Sequence, residues 1–595
     1  MLFLLAFSIF SGCSSSSDDN GEQGEVTVSL TDAEGDFVTY SVDVLSIKLT
    51  KKNGLEVETL PVTTTVDFTQ YVDMTEFLTA ASVPLGAYSK ATMVLDYSNA
   101  DIRVENTAGE TVQVTSIKDA DNNDVTTMEV SVYLENQSAL VIAPGLISHI
   151  TLDFDLKVSN TVSFDGAGAA SVVVEPSLVV DIDKESPKAH RVRGLLGDIN
   201  EDMNYFYVKL CPFFHELKGK KAKFGEVMVL SGSETVYEIN GLDFVGAEGL
   251  AALTDIDEDT PVLVKGKMLF NPRRFEADEV YVGTSVPGVS GDMVTGNVLK
   301  REGNVLSVNG LVISEEGKEI RLNDTVEVTL SEDTVVKKQL STEEFAIGDI
   351  APGQKILVTG VLSELESGTL ALDATLGTAR LLMTSLRGNV AADTESSDLN
   401  VKLDSIDMRK TELFDFTGTG TSAENDADPL SYEIETADLD TSGFGFDDPI
   451  KIFGFVNAFG QAPYDFAATS IVDYSNLPTF FTLRWFPSTT EPFVELTEES
   501  LVVDLDALNV YHILFKSHEY RVDDTGEVTI NPSESGVFVI HMRKKPEVYT
   551  NFAEFSARLD ILLDGNNRAR RLFATGIYDR ENQILTASYL TMDLK

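Results

Sequence analysis

Oxygen-bearing side chains at alternate positions are the first feature with chemistry in it. Asp119-Ala-Asp121-Asn-Asn123-Asp124-Val125 spaces Asp119, Asp121, Asn123 and Asp124 as a Ca²⁺ loop spaces its ligands. Asp124 stands where an EF-hand has its turn glycine, and Glu129 falls one place early for the closing bidentate acid. Two readings therefore stand side by side, an acidic hairpin turn and a Ca²⁺ site, and the turn is favoured. No other cofactor is expected. Asp255-Ile-Asp257-Glu-Asp259 also alternates but falls in a turn before a strand. Glu424-Asn-Asp-Ala-Asp428 lies in a Gly/Ser/Thr-rich insertion and reads as a solvated loop.

Other catalytic patterns are missing from the sequence. His149, His190, His215, His512, His518 and His541 form neither His-Glu-x-x-His nor a His/Cys spacing suited to zinc. The last three share one region and could meet across strands. There is no Gly-x-Ser-x-Gly elbow, P-loop or dinucleotide fingerprint. Paired carboxylates discriminate nothing in a chain this acidic. Trp485 and Phe486 are candidates for stacking on a sugar, but strand-core packing is the stronger reading. The expectation is a protein that is not an enzyme.

The whole chain bounds these readings. Its 595 residues are too many for one core. A hydrophobic content of 43% excludes an acidic disordered chain. A net charge of −51 repels nucleic acid, so no nucleic-acid partner is expected, and attracts divalent cations and basic partners. Two cysteines exclude a disulfide framework. Cys211 sits in the apolar Val208-Lys-Leu-Cys-Pro-Phe-Phe214 and reads as a buried, inert thiol.

The elements that must position any site read as strands. Ile150, Leu152, Phe154, Leu156 and Val158 alternate with polar residues. Tyr40, Val42 and Val44 alternate, and then the phase flips to Leu45, Ile47 and Leu49, the mark of a bulge. Helical pattern is confined to short pieces: Thr75 to Ala81, Gly246 to Leu253, and Ser341 to Ile347, where Ser341 and Glu344 have capping-box spacing.

A bent strand recurs. Val262-Leu-Val-Lys-Gly266, Ile356-Leu-Val-Thr-Gly360, Ile450-Lys-Ile-Phe-Gly454 and Leu572-Phe-Ala-Thr-Gly576 each precede a small-residue landmark: Glu276-Ala277, Asp373-Ala374, Ala467-Ala468 and Thr586-Ala587. Glycine-marked strands also open three units, at Gly194, Gly296 and Gly388. The period is domain-sized. Strands, a short helix, then a bent strand is the order of a small OB-like barrel, a fold that often binds oligonucleotides or sugars on one face.

Three resemblances follow. Phe10-Ser-Gly-Cys13 after an apolar run resembles a bacterial lipobox, which implies lipidation of Cys13 and a membrane partner through the lipid anchor. No Lys or Arg precedes the run, so a start upstream of Met1 is expected. Ser14 at the next position favours outer-membrane sorting by analogy. Val28-Ser-Leu-Thr-Asp-Ala33, Val66-Asp-Phe68, Val83-Pro-Leu-Gly-Ala-Tyr88, and Leu152-Asp-Phe-Asp155 with Val174-Glu-Pro176 resemble domain-of-unknown-function family 4382. That resemblance implies a β-sandwich-like domain of envelope lipoproteins and no activity. The later units resemble the small β-barrel repeats of domain-of-unknown-function family 5666, about 291–385 best.

The expected fold class is all-β: an N-terminal β-sandwich-like domain followed by about four small OB-like β-barrel domains. The expected order is signal peptide 1–12, lipidated Cys and tether 13–24, sandwich 25–183, and barrels 184–285, 286–385, 386–476 and 477–595. The expected function is a non-enzymatic envelope lipoprotein, structural or binding, with a polysaccharide or envelope protein as partner. The alternative is a calcium-assisted adhesin or glycan-binding protein.

Overall fold

The computed structural model describes residues 22–595 except 32–36, 72–73, 106–110, 120–121, 135–139, 145–146, 155, 166–167, 175–177, 183–188, 212–223, 271–272, 290, 315–319, 366, 392–398, 438, 474–477, 509, 516–517, 520–525, 543–544, 566 and 580–581, with some further side chains, including those of 486, 512 and 518, also outside the description. Strands dominate, as the alternating patterns require.

Two sheets pack face to face at the N-terminal end. One contains Gln23–Thr31 between Ser148–Phe154, parallel, and Met74–Pro84, antiparallel, with Leu178–Ile182 outside. The other is built on Phe37–Lys51 and Gly86–Glu105. Tyr40, Val42, Val44, Ile47 and Leu49 all point into the shared core, and the pairing with Gly86–Glu105 slips between Val44 and Ser46. The phase flip in the sequence is thus a bulge that keeps one strand apolar on one face across a bend.

The segment Thr75 to Ala81 is not helical. It lies inside the strand Met74–Pro84. This strand is hydrogen-bonded on both edges, and Thr75, Glu76, Phe77, Leu78 and Thr79 are all buried. With both faces covered, the two-residue alternation disappears and a helical period is mimicked.

Three closed barrels and one open relative follow. In the first, the strands are Ala189–Asn200, Tyr205–Leu210, Glu226–Ile239, Pro261–Phe270 and Arg273–Val282. The first pairs with the second and fourth, the fourth with the fifth, the fifth in parallel with the third, and the third with the second. This is the closed OB order 1-2-3-5-4. The second barrel repeats it with Asp292–Glu302, Val305–Ile313, Ile320–Thr329, Lys355–Glu364 and Leu370–Leu381. The third does so with Thr384–Val390, Leu399–Ile406, Tyr432–Glu435, Pro449–Val456 and Phe466–Asp473. The last unit has Pro478–Thr489, Val510–Phe515, Glu527–Met542, Ala569–Asp579 and Ile584–Leu594, with the same parallel third and fifth strands. Among the described residues no pairing joins its second and third strands.

Between the third and fourth strands, the first barrel has the helix Ala247–Leu253, begun at Gly246 with φ 54°, and the last has Phe552–Asp564, capped by Asn551. The second barrel departs from expectation: Ser341 to Ile347 is irregular, and only Ile347–Asp349 forms a short 3₁₀ turn. The Ser341 hydroxyl accepts from Glu343 N, one residue too near for a capping box, and Phe345 is drawn into a β-bridge with Val336. That bridge takes the backbone groups a helix would use.

The four bend glycines are equivalent. Each sits where the fourth strand slips against the fifth, at Lys265/Gly266, Thr359/Val361, Phe453/Gly454 and Thr575/Gly576. A Cβ at Gly266, Gly360, Gly454 or Gly576 would overlap the carbonyl of Glu276, Asp373, Ala467 or Thr586 respectively. The small-residue landmarks are therefore the partners of the glycines, and the bulge exists because two backbones touch there.

The sandwich and the three closed barrels are joined, each to the next, by buried polar contacts. Met74–Pro84 pairs in parallel with Ala189–Asn200, so the sandwich sheet runs into the first barrel. There the buried Glu76 meets Arg191 and Arg193. Between the first and second barrels, Glu279 accepts from Tyr281 Oη at 2.9 Å, Gln339 Nε2 at 2.8 Å and Leu340 N at 2.9 Å, while Arg380 pairs with Glu238 and lies over the Tyr281 ring. Between the second and third, Gln354 donates to Thr384 Oγ1 and accepts from Val456 N, and Asn297 donates to Asp407 at 2.7 Å. Apolar groups are exchanged as well: Phe455 of the third barrel enters the second core, and Ala351 of the second enters the third.

Candidate functional site

The acidic loop 119–124 lies between Thr111–Lys118 and Thr127–Tyr133. The Asp119 carboxylate accepts from Asn123 N at 2.8 Å and from Asn123 Nδ2 at 3.0 Å. Lys118 Nζ pairs with Asp124. Asp119, Asn123 and Asp124 are thus engaged in holding the hairpin itself, while Asp121 lies outside the described residues. Among the described residues, no three His, Cys, Asp or Glu side chains gather as a metal site needs.

Other sequence candidates are dispersed. Cys13 and His215 lie outside the described residues, as do the side chains of Phe486, His512 and His518. Trp485 is buried in the last core, packed edge-on against Phe493. Cys211 is half-buried, and burial raises its thiol pKa. His149 and His190 are brought together, ring centroids 5.9 Å apart, in an aromatic cluster with Phe77. Burial lowers the His149 pKa to about 3, so it is neutral and structural.

The arrangement with unspent chemistry lies on the third barrel. Tyr432 opens its third strand, and Asp465 immediately precedes its fifth. The parallel pairing of Ile434 with Phe466 sets these two residues side by side. Asp465 N donates to Glu433 O, and Glu433 N donates to Asp465 Oδ2 at 2.9 Å. Asp465 Oδ1 and Tyr432 Oη are both buried without a hydrogen-bond partner. Both residues line a recess of about 210 Å³, partly open to solvent, whose enclosed part admits one water-sized group.

The rest of the wall comes from four directions, one of them the end of the fourth strand with Val456, Asn457 and Ala458. Thr419 and Ala427 belong to the insertion, stitched by Ala427 N donating to Thr419 Oγ1 and Gly420 N donating to Asp426. Ala462 and Tyr464 belong to the approach to the fifth strand, where both peptide bonds of Pro463 are cis. Ala351 and Pro352 come from the second barrel. Burial raises the Asp465 pKa to about 6, and the charges of Glu433 and Asp428 push the same way against the Glu433 N hydrogen bond. The Tyr432 pKa is raised by burial and then by Asp465. The insertion is therefore more than a solvated loop, since its middle forms part of this wall.

Sequence reasoning missed Tyr432 and Asp465. They stand 33 positions apart in the numbering, in no motif, and the parallel pairing alone unites them.

Comparison with known proteins adds a family for one part. No curated protein matches the chain. Among solved structures, a Parabacteroides distasonis protein provisionally assigned to cell adhesion covers 61% of this chain and 99% of its own at 12% identity. Its TM-score is 0.11, and it carries no argument. Residues 23–172, the sandwich with its two facing sheets, match the family described as Domain of unknown function (DUF4382).

Proposed function

We propose that this protein is a non-enzymatic component of the bacterial cell envelope, an array of domains held to the outer membrane by acyl chains on Cys13. It presents a fixed surface to a polysaccharide or to another envelope protein. The observation that carries this reading is the set of joints at Glu76, Glu279, Gln354 and Asn297. Flexibly linked beads need no desolvated polar contacts between them. Buried charged and amide pairs add little net stability, and their contribution is a defined geometry. Fixed angles among the first four units suit a scaffold or a multi-point binder, because its sites are pre-arranged.

The test is a glycan array probed with residues 22–595, with and without Ca²⁺, while the wash is checked for released sugar. Saturable retention without release supports a binding module. Release of sugar would replace the reading with an enzyme. Retention that needs Ca²⁺ would move it to a calcium-assisted adhesin. Absence of retention on every glycan leaves an envelope protein as the partner, sought by cross-linking the anchored chain in cells.

A further inference from the structure

We propose that the recess at Tyr432 and Asp465 is a binding site for a primary ammonium group. Two polar side chains end there without partners, Asp465 Oδ1 and Tyr432 Oη, and their residues are 5% and 0% exposed. An unpaired buried carboxylate costs several kcal/mol. Removing that cost requires a proton, an ordered water or a cation. The neighbours select among these. Glu433 and Asp428 act on Asp465 as further negative charges, and no cation is among the influences on its pKa. A water leaves that charge uncompensated and a proton removes it only below about pH 6, whereas an ammonium group neutralises it at neutral pH and has donors for Asp465 and Tyr432, which both line the recess.

Size and shape agree. The enclosed part admits one water-sized group, which is the size of –NH₃⁺. The recess is partly open, and its lining includes Ala351, Pro352, Val456 and Ala458, apolar groups that suit a methylene stem. Because Ala351 and Pro352 belong to the second barrel, an occupied site also ties two units together. The inference is independent of the anchored-scaffold reading.

Free ammonium and the end of a longer amine share this chemistry, so both are test arms. Residues 22–595 are titrated calorimetrically with ammonium, methylammonium and n-butylammonium chlorides, against tetramethylammonium, potassium and sodium chlorides at equal ionic strength. Saturable binding is expected for the primary ammonium salts alone. It should weaken at least about tenfold in Asp465→Asn, which keeps an oxygen for Glu433 N. It should also weaken in Tyr432→Phe, which removes the hydroxyl and nothing else. Between pH 8 and pH 5 binding should fall about tenfold as Asp465 takes up a proton. Butylammonium binding more tightly than ammonium assigns the stem to the apolar lining, and the reverse order assigns the free ion; both support the site. Equal binding of potassium, unchanged affinity in both variants, or no saturable binding by any amine overturns the proposal and leaves an ordered water in the recess.

Discussion

Replacing Gly360 with alanine puts the equivalence of the four bend glycines to a quantitative test. The added Cβ would overlap the Asp373 carbonyl oxygen and stand 2.9 Å from its carbon and 3.2 Å from Ala374 Cα. All of these are backbone atoms, so no side chain can swing aside. The fourth and fifth strands must separate by roughly 1 Å at the bulge, which weakens two or three ladder hydrogen bonds of about 1 kcal/mol each. With some loss of packing, the expected cost is about 2–4 kcal/mol. Gly303→Ala is the control within the same barrel. It sits in a hairpin turn at φ 60° with nothing within 4 Å of a new Cβ, so it should cost only about 1 kcal/mol of backbone strain. Hydrogen exchange read by mass spectrometry resolves the units. In Gly360→Ala, peptides from Lys355–Glu364 and Leu370–Leu381 should exchange roughly 30- to 1,000-fold faster, while the last, open unit is unchanged. If Gly360→Ala exchanges no faster than Gly303→Ala, the close-approach account of the repeat fails.

Further outcomes follow from the same geometry. Asp465 titrates near 6 when folded against 3.8 when unfolded, so the stability held by its neutral form is lost as pH rises through that window; Asp465→Asn, immune to this, should gain on wild type by about 3 kcal/mol above pH 7 and by nothing near pH 3 in paired denaturant melts. A gap independent of pH would contradict the burial of that carboxyl. Glu279→Ala strands Lys265 and three donors at the joint and should cost about 3–5 kcal/mol, with faster exchange on both sides of it, whereas Glu56→Ala, in an exposed pair with Lys48, should stay within about 1 kcal/mol. Cys13→Ser, in a gene carrying the full leader, should move the protein from the membrane fraction to the soluble one; retention in the membrane would refute the anchor. Melting temperature should rise equally in Ca²⁺, Mg²⁺ and NaCl of matched ionic strength, as screening of 51 excess negative charges requires. A Ca²⁺-specific rise abolished by Asp121→Ala would establish the loop 119–124 as a site.

The bend glycines were legible because sterics leave no substitute: a strand that touches its neighbour's carbonyl must lack a Cβ, and the constraint recurs in every unit. The bulge at Val44 was legible for a related reason, since one buried face dictates the phase of every apolar residue along it. Thr75 to Ala81 misled because burial on both faces erases the alternation. Ser341 misled because its capping-box spacing to Glu344 reads as the start of a helix, while its hydroxyl is taken by Glu343 N instead. The recess was invisible. Tyr432 and Asp465 become neighbours through the OB crossover, and nothing local to either residue announces it. Nor does an insertion of ordinary turn residues reveal that Thr419 and Ala427 will close a wall.

The position of Gln23–Thr31 has a mechanical consequence. The strand lies inside its sheet, bonded on one side to Ser148–Phe154 and on the other to Met74–Pro84. Tension applied through the residues before Gln23 runs along the strand and at right angles to both hydrogen-bond ladders. All the bonds on both sides are then sheared at once, whereas a strand peeled from an edge breaks them one after another. The load passes from Met74–Pro84 straight into Ala189–Asn200. A pull on the leading segment is thereby spread over the sandwich and the first barrel together, and neither can be unzipped from that end.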